Sequence, residues 1–425
     1  MLALLLVLLP TDQPATDQPA TESAWSGFLG PPSGAVQAGD LPVEWSPDSV
    51  AYTIELDGYG QSSPVVRDGI LYLTSVEGDN KETNRVSAYQ LSDGSPLWSQ
   101  TATNPTPEPN NFYVSRAAPT PVVDESGVVA FFEGGRLLAY DAAGNERWNR
   151  DLVADFGPIK ARHGLSASLV QDAEHVFVHV ERESDPYLLA VRKSDGTDAW
   201  KVPGLGSSTW ASPVMLDGPD GQPHLVVSAV GQVAGFDPAS GERLWTLDGL
   251  SGNSAATPYP VGPGQFLVGG SGGRMDPNAA ASNGLIEVTR TGDGYAAAFK
   301  WQADKARSSF GSPIAAGDLA YFTNRSGAVF AYDVATGEPA FTKRVAESGW
   351  ATPLATEDRI YFVGKDGTTT VVSTGREFDK LAENRLWEPE AATGGFGSGP
   401  VQYAVAAVDG TLLVRRGDRL YAIRR

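Results

Sequence analysis

The sequence of 425 residues contains no cysteine. That excludes disulfides, thiolate zinc sites, cysteine nucleophiles and lipid attachment through Cys. Basic residues are scarce: 32 Lys plus Arg stand against 51 Asp plus Glu, a formal net charge of −19. Duplex nucleic acid and an anionic membrane surface both demand a basic face, so neither is the expected partner. No membrane span is expected either. Leu2 to Leu9 reads LALLLVLL, only eight residues where about 20 are needed to cross a bilayer. This run suits the apolar core of an export signal, although no Lys or Arg precedes it and no A-x-A cleavage site follows; a frayed tail is the other reading. The pentapeptide TDQPA, written twice, comes next and reads as a flexible tether. Residues 1–24 are thus taken as signal and tether, and 25–425 as a single domain.

What is abundant is turn chemistry. Gly (48) and Pro (30) make up about 18 % of the chain, against a usual ~12 %. A phrase of small residue, Ser or Thr, Pro and apolar residues returns along the chain. It appears as Ser62-Ser63-Pro64-Val65, Pro119-Thr120-Pro121-Val122, Ala211-Ser212-Pro213-Val214, Ala256-Thr257-Pro258, Gly311-Ser312-Pro313-Ile314, Ala351-Thr352-Pro353-Leu354 and Ser398-Gly399-Pro400-Val401. A degenerate copy, Ser166-Ala167-Ser168-Leu169, fills the gap. With Ser168 as the proline equivalent the spacings are 57, 47, 45, 45, 55, 40 and 47, which makes eight copies. Each copy continues with a second apolar run, an Ala-Tyr-Asp-like run and a Gly turn (Gly94, Gly144, Gly196, Gly241, Gly337). A fourth run opens on an aromatic: Trp98, Trp148, Trp200, Trp245, Trp301, Phe341 and Trp387. Four short strands per repeat of this length predict a propeller blade, hence an all-β, eight-bladed β-propeller. The last copy stops at Arg425 without a fourth strand. Val50 to Leu56 supplies an orphan strand whose Tyr52 precedes Pro64 by 12 residues, as Trp301 precedes Pro313 by 12. The N-terminal strand is therefore predicted to complete the last blade and leave no open edge.

The pattern S-P-V-V-x-D-G-x-x-Y followed by A-x-D-x-x-x-G-x-x-x-W resembles the pyrroloquinoline-quinone (PQQ) repeat. The chain is similar to the PQQ-like propellers of bacterial periplasms, including BamB-type outer-membrane assembly lipoproteins and the PQQ-like proteins of planctomycete-type bacteria. The latter share the phrase seen here as Trp25-Ser26-Gly27-Phe28-Leu29-Gly30-Pro31, and a second seen as Tyr113-Val114-Ser115-Arg116-Ala117-Ala118-Pro119. The resemblance covers Trp25 to Arg425 and implies a periplasmic or secreted protein, with the repeat aromatics docked between blades. It also implies two functional classes. One is a non-catalytic binding or protein-interaction scaffold. The other is a PQQ-dependent oxidoreductase of the quinoprotein alcohol dehydrogenase-like superfamily. The absent Cys removes the adjacent-cysteine disulfide common in that class, and no calcium or catalytic motif of the family matches residue by residue. The main expectation is therefore a scaffold without cofactor, with PQQ and calcium as the alternative.

Candidate site residues come from the ring itself. The segment entering each first strand lines a channel mouth in propellers, and there the chain places Arg116, His163, Trp210, Asn253, Phe310, Trp350 and Phe396. Such a set suits a small-molecule or peptide ligand, or a protein partner, at a propeller face; the other reading is that the aromatics plug the channel or pack between blades. The propeller is expected to be a monomer. His175 and His179 copy the zinc spacing of a helix but fall on a strand, where residues four apart lie ~13 Å from one another, so they read as two exposed strand histidines. Gly269 to Gly273 matches G-x-S-x-G without the strand-to-helix turn that motif needs. Gly395 to Gly399 precedes a strand and offers a phosphate no helix N-terminus. Two acidic insertions, Glu77 to Glu82 and Met275 to Asn278, read as solvated loops, with calcium as the lesser alternative.

Overall fold

The computed structural model describes residues 24–30, 41–110, 114–161, 163–206, 210–250, 255–271, 280–347, 349–388 and 404–425. Eight antiparallel sheets follow one another around a ring, six built wholly from consecutive strands. Blade 1 has strands Val65–Arg67, Ile70–Glu77, Thr83–Gln90 and Pro96–Thr103, and blade 2 has Val122–Asp124, Gly127–Phe131, Arg136–Tyr140 and Glu146–Asp151. The only α-helix among the described residues, Leu152–Phe156, leaves blade 2 and is capped by the Asp151 carboxylate, which accepts from the Val153 and Ala154 amides.

The Ser/Thr at the start of blades 2 to 7 has a structural reason. Its hydroxyl accepts the backbone N–H of the same position one blade earlier. Ser63 N donates to Thr120 Oγ1 (2.9 Å), Thr120 to Ser168 (3.0 Å), Ser168 to Ser212 (2.9 Å), Ser212 to Thr257 (2.9 Å), Thr257 to Ser312 (3.0 Å) and Ser312 to Thr352 (3.0 Å). These bonds tie the entry segments into a buried relay around the axis, and the first strands that follow contact one another. The relay also corrects the sequence alignment of blade 3. Ser168 holds the hydroxyl position, so Leu169 rather than Ser168 stands where the other blades have Pro.

The repeat aromatics are the glue between blades. Trp98 packs on the turn of blade 2, where a Cβ at Gly144 would sit 2.7 Å from the indole; Trp148 meets Gly196 in the same way (2.8 Å) and Trp200 meets Gly241 (2.7 Å). These glycines also have φ between 74° and 87°, so two demands converge on them. The indole N–H of Trp98, Trp148, Trp200 and Trp301 donates to the carbonyl of Ala142, Lys193, Pro238 and Val334 in the following blade, at 2.8–2.9 Å. Trp245 departs from this and donates to His224 Nδ1 in its own blade (3.1 Å).

One aromatic assignment is corrected. In blade 7 the residue in the slot is Ala382, paired with Val371 as Phe341 pairs with Ala331. Trp387 lies beyond the end of strand Lys380–Arg385 and stacks on Tyr421 of blade 8 at 5.7 Å. The chain lacks an aromatic at position 382, and the next one along was read in its place.

Closure follows the predicted route. Val50–Glu55 pairs antiparallel with Arg419–Ile423, with Tyr52 opposite Ala422. Tyr52 then repeats the Trp contact: its hydroxyl donates to Leu91 O of blade 1 (2.6 Å), and a Cβ on Gly94 would lie 2.5 Å from its ring. Arg415 adds a second closure. It is fully buried in blade 8 and donates to Ser62 O (3.1 Å), Ser62 Oγ (2.7 Å) and Thr74 O (2.6 Å) of blade 1. Gly60 leaves room for it, since a Cβ there would overlap Nη2.

The segment upstream does something the sequence did not disclose. Ala24–Trp25 adds a fifth strand to the axis-facing edge of blade 1, with Trp25 opposite Val66. Ser26 O accepts from Val123 N of blade 2 (3.1 Å). Residues 24–30 thereby enter the channel. Farther along, Leu41 and Trp45 are buried against blade 7, where Trp45 stacks on Tyr361 at 6.3 Å.

Candidate functional site

Chain entry into each blade and the loops between second and third strands lie on one end of the ring, the entry face. Between blades 1, 2 and 3 that face holds a polar cavity of about 330 Å³, lined by Glu108, Glu133, Lys160, Gly164 and Glu183 among others. Its floor is a buried charge pair. Glu133 follows the second strand of blade 2 and has only 4 % of its side chain exposed. Its two oxygens accept from the Ala117 amide (3.2 and 3.0 Å), and Lys81 Nζ stands 3.7 Å away. Lys81, 1 % exposed, also donates to Glu108 Oε1 (2.7 Å) and to Ser115 O (3.0 Å). Burial pushes the Glu133 carboxyl up to about 7, with the Lys81 charge holding it back.

The backbone around this pair is strained. Among the described residues only five non-glycines have positive φ, and two of them, Lys81 (55°) and Ala117 (47°), are the partners of Glu133. Such conformations cost about 1–3 kcal/mol each and concentrate at functional sites. The Glu77 to Glu82 insertion is therefore not simply a solvated loop. Its flanks are exposed, but it turns Lys81 inward, which corrects the sequence reading. The Met275 to Asn278 insertion lies outside the described residues, as do Gly395 to Gly399.

Two of the residues predicted from the sequence, His163 and Trp210, stand beside Gly164 of this cavity, and Arg116 packs on Tyr59 instead. Ser115 N donates to His163 O (3.0 Å), and Gly164, next in the chain, lines the cavity. Trp210 Nε1 donates to Gly164 O (3.3 Å), and its ring lies 5.5 Å from that of His163. Arg116, between Ser115 and Ala117, lays its guanidinium over the Tyr59 ring at 3.5 Å from the centroid. All three are half-buried. Phe310 and Trp350 form a separate pair between blades 6 and 7, 4.9 Å apart and tilted by 34°. Asn253 and Phe396 lie outside the described residues.

Lys81 and Glu133 themselves were missed. A Lys within an acidic insertion looks solvated, and a single Glu after a strand carries no pattern. One signal existed: Glu181 occupies in blade 3 the position that Glu133 occupies in blade 2, four residues after the residue paired with the central Ala of the third strand. It too is buried, with a buried His beside it. His179 Nδ1 lies 3.7 Å from Glu181 Oε1, and Nε2 accepts from Leu205 N (3.3 Å). Burial pulls His179 down to about 4. The reading of two exposed strand histidines is thus corrected. His175 is half-buried against Asp172 (3.3 Å), and His179 is fully buried; the strand runs into the interblade packing at its far end.

The chain matches the family model described as outer membrane protein assembly factor BamB over residues 35–162 and 229–425. It belongs to this PQQ-like β-propeller family. Its fold is similar to that of BamB from Moraxella catarrhalis, with a TM-score of 0.61 at 16 % identity over 88 % of this chain and 97 % of that one. It is also similar to the quinohemoprotein alcohol dehydrogenase from Comamonas testosteroni, with a TM-score of 0.58 at 12 % identity over 94 % of this chain and 80 % of that one. A computationally designed protein, Ika8, superposes with a TM-score of 0.61 at 12 % identity, over 89 % of this chain and all of its own. No curated protein sequence matches it. These likenesses carry the fold, and the fold alone does not choose between binding and catalysis.

Proposed function

We propose that this propeller is a non-catalytic binding scaffold, exported or periplasmic and monomeric, whose entry face binds a cationic group of a protein or peptide partner. The observation that carries the reading is the buried Glu133 carboxylate at the floor of the 330 Å³ cavity, held by Lys81 and by an alanine at positive φ. Three carboxylates (Glu108, Glu133, Glu183) line the space against the one lining cation Lys160, with Lys81 paired to Glu108 and Glu133, and the chain as a whole carries −19. Trp210 and His163, beside Gly164 at the edge of the space, are aromatic rings of the kind that stack on an ammonium or guanidinium. The matched family's description as an assembly factor favours a protein partner.

A quinone-dependent oxidoreductase is the competing class. PQQ with calcium needs converging carboxylate and amide ligands around the axis. Among the described residues no group of three His, Asp or Glu is placed to hold a metal ion. The axis beside blades 1 and 2 is instead taken by Trp25 to Leu29. The described residues do not fit that group. The discriminating experiment is dye reduction by purified protein supplied with PQQ, calcium and an alcohol or sugar. The scaffold reading expects none above the protein-free rate; sustained quinone-dependent reduction overturns it.

A further inference from the structure

The channel segment Trp25 to Gly30 does not fill the axis evenly. Toward blades 5 to 8 it packs closely and leaves a space of only about 40 Å³. Toward blades 2 to 5 it leaves a cavity of about 450 Å³, running from Thr257 of the hydroxyl relay to the turns at the opposite end of the ring. Phe28, Leu29, Leu169, Val214, Met215 and Tyr259 give it an apolar wall. This space lies away from the entry-face cavity and the inference does not depend on the reading of that site.

The polar side chains of the wall are already engaged. Lys193 Nζ donates to Asp124 Oδ2 and to Asp172 O, both at 2.5 Å, and Gln171 Nε2 donates to Val123 O (2.9 Å). A small polar ligand would find few side-chain partners. Strand edges are what the wall has left. Val170–Gln171, Val214–Asp217 and Tyr259–Gly262 are each the edge strand of their sheet, and Val170, Gln171, Val214, Met215, Tyr259 and Pro260 line the space. Blade 3 offers two residues there, and Pro260 removes a donor from blade 5. The edges of blades 4 and 5 are both four residues long; in blade 4 the Asp217 carbonyl is already taken by Gly264 N (2.6 Å), which leaves Val214–Leu216 as the stretch without a proline. The chain shows on itself that such an edge accepts another strand, since Ala24–Trp25 pairs with Val66 and Arg67 of blade 1 in the same channel.

We infer that the channel is a receptor for an extended apolar peptide segment of a partner protein, which adds as a strand to Val214–Leu216 of blade 4 beside the chain's own Trp25–Leu29. Main-chain bonds would supply affinity, and alternate side chains entering the apolar wall would supply selectivity. A volume of this size holds roughly three or four extended residues, each rising about 3.3 Å.

The test uses the full chain and a dye-labelled synthetic peptide, Ala-Trp-Ser-Gly-Phe-Leu-Gly, which copies the sequence that fits this channel in cis. Fluorescence anisotropy should show saturable binding. Met215→Trp, which fills the cavity, should weaken it at least tenfold. Hydrogen exchange on the unaltered protein should slow across Val214–Leu216 when peptide is present, and this readout decides the matter if the variant does not fold. Absence of saturable binding at millimolar peptide overturns the inference. So does a folded Met215→Trp protein that binds unchanged, or binding that leaves exchange across Val214–Leu216 unaffected.

Discussion

Arg415→Met tests how the ring is shut. The guanidinium has no exposed surface, and its partners are carbonyls and one hydroxyl. Burial pulls its pKa to about 10, so it remains charged at pH 7. The fall from 12.5 to about 10 corresponds to about 3 kcal/mol of lost preference for the charged form. Against this stand three interblade bonds from a charged donor, each contributing about 1.5–3 kcal/mol. Methionine matches much of the length and adapts to irregular space, so the substitution removes the bonds and relieves the desolvation while leaving little cavity. The balance is a loss of about 2–5 kcal/mol. Ser62→Ala removes one acceptor and should cost about 1 kcal/mol, and the double mutant should lose less than the two together because they share a bond. Urea midpoints give these values, and limited proteolysis should show strand Val50–Glu55 releasing earlier in Arg415→Met. If Arg415→Met unfolds at the parent midpoint with an equally protected N-terminal strand, Arg415 does not close the ring.

Other outcomes follow from the same contacts. Trp148→Ala should cost about 3–5 kcal/mol, the range for truncating a buried Trp, because it empties the space over Gly196 and removes one of the two bonds to Lys193 O; calorimetric unfolding measures it. Removing residues 1–23 should leave the melting temperature unchanged, whereas removing 1–56 takes away the closing strand and should give aggregating protein; size-exclusion chromatography separates the two. His179 binds its proton less readily folded (about 4) than unfolded (6.5). Its contribution is therefore present above pH 6.5 and lost as pH falls toward 4, about 2 kcal/mol between pH 6.5 and 5. His179→Gln should flatten that decline in urea titrations at the two pH values. Glu133 has the opposite sign: raised to about 7 from 4.5, it favours the fold at low pH and loses that contribution as pH rises through 7.

Much of the ring was legible because each blade repeats the same local demands. A Gly at positive φ, a hydroxyl before Pro and an aromatic at the fourth strand are short-range signals, and Tyr52 disclosed closure by spacing alone. The errors fall where one of these is missing. Blade 3 has no Pro, which slipped its alignment by one residue, and blade 7 has Ala382 where others have an aromatic, which drew the assignment to Trp387. The neighbourhood of the entry-face site was partly legible, since Trp210 stands at a repeat position and His163 close to the equivalent one, and the two meet beside Gly164. Its floor was not. Lys81 and Glu133 are 52 residues apart in the sequence and are brought together by two loops whose composition reads as surface. The channel segment Trp25–Gly30 was visible only as a family phrase, because nothing local marks a strand that pairs with an edge 41 residues away.

The most direct test of the binding account is isothermal titration of the protein with the tripeptide Gly-Lys-Gly at pH 8, beside the same peptide with an acetylated lysine. The entry-face cavity with an ionised Glu133 should bind the charged peptide and not the acetylated one. Binding should fade as pH falls through about 7 with protonation of Glu133, and Glu133→Gln should weaken it about tenfold, the equivalent of about 1.4 kcal/mol. Equal heats for the two peptides, or undiminished binding by a folded Glu133→Gln protein, would contradict the account.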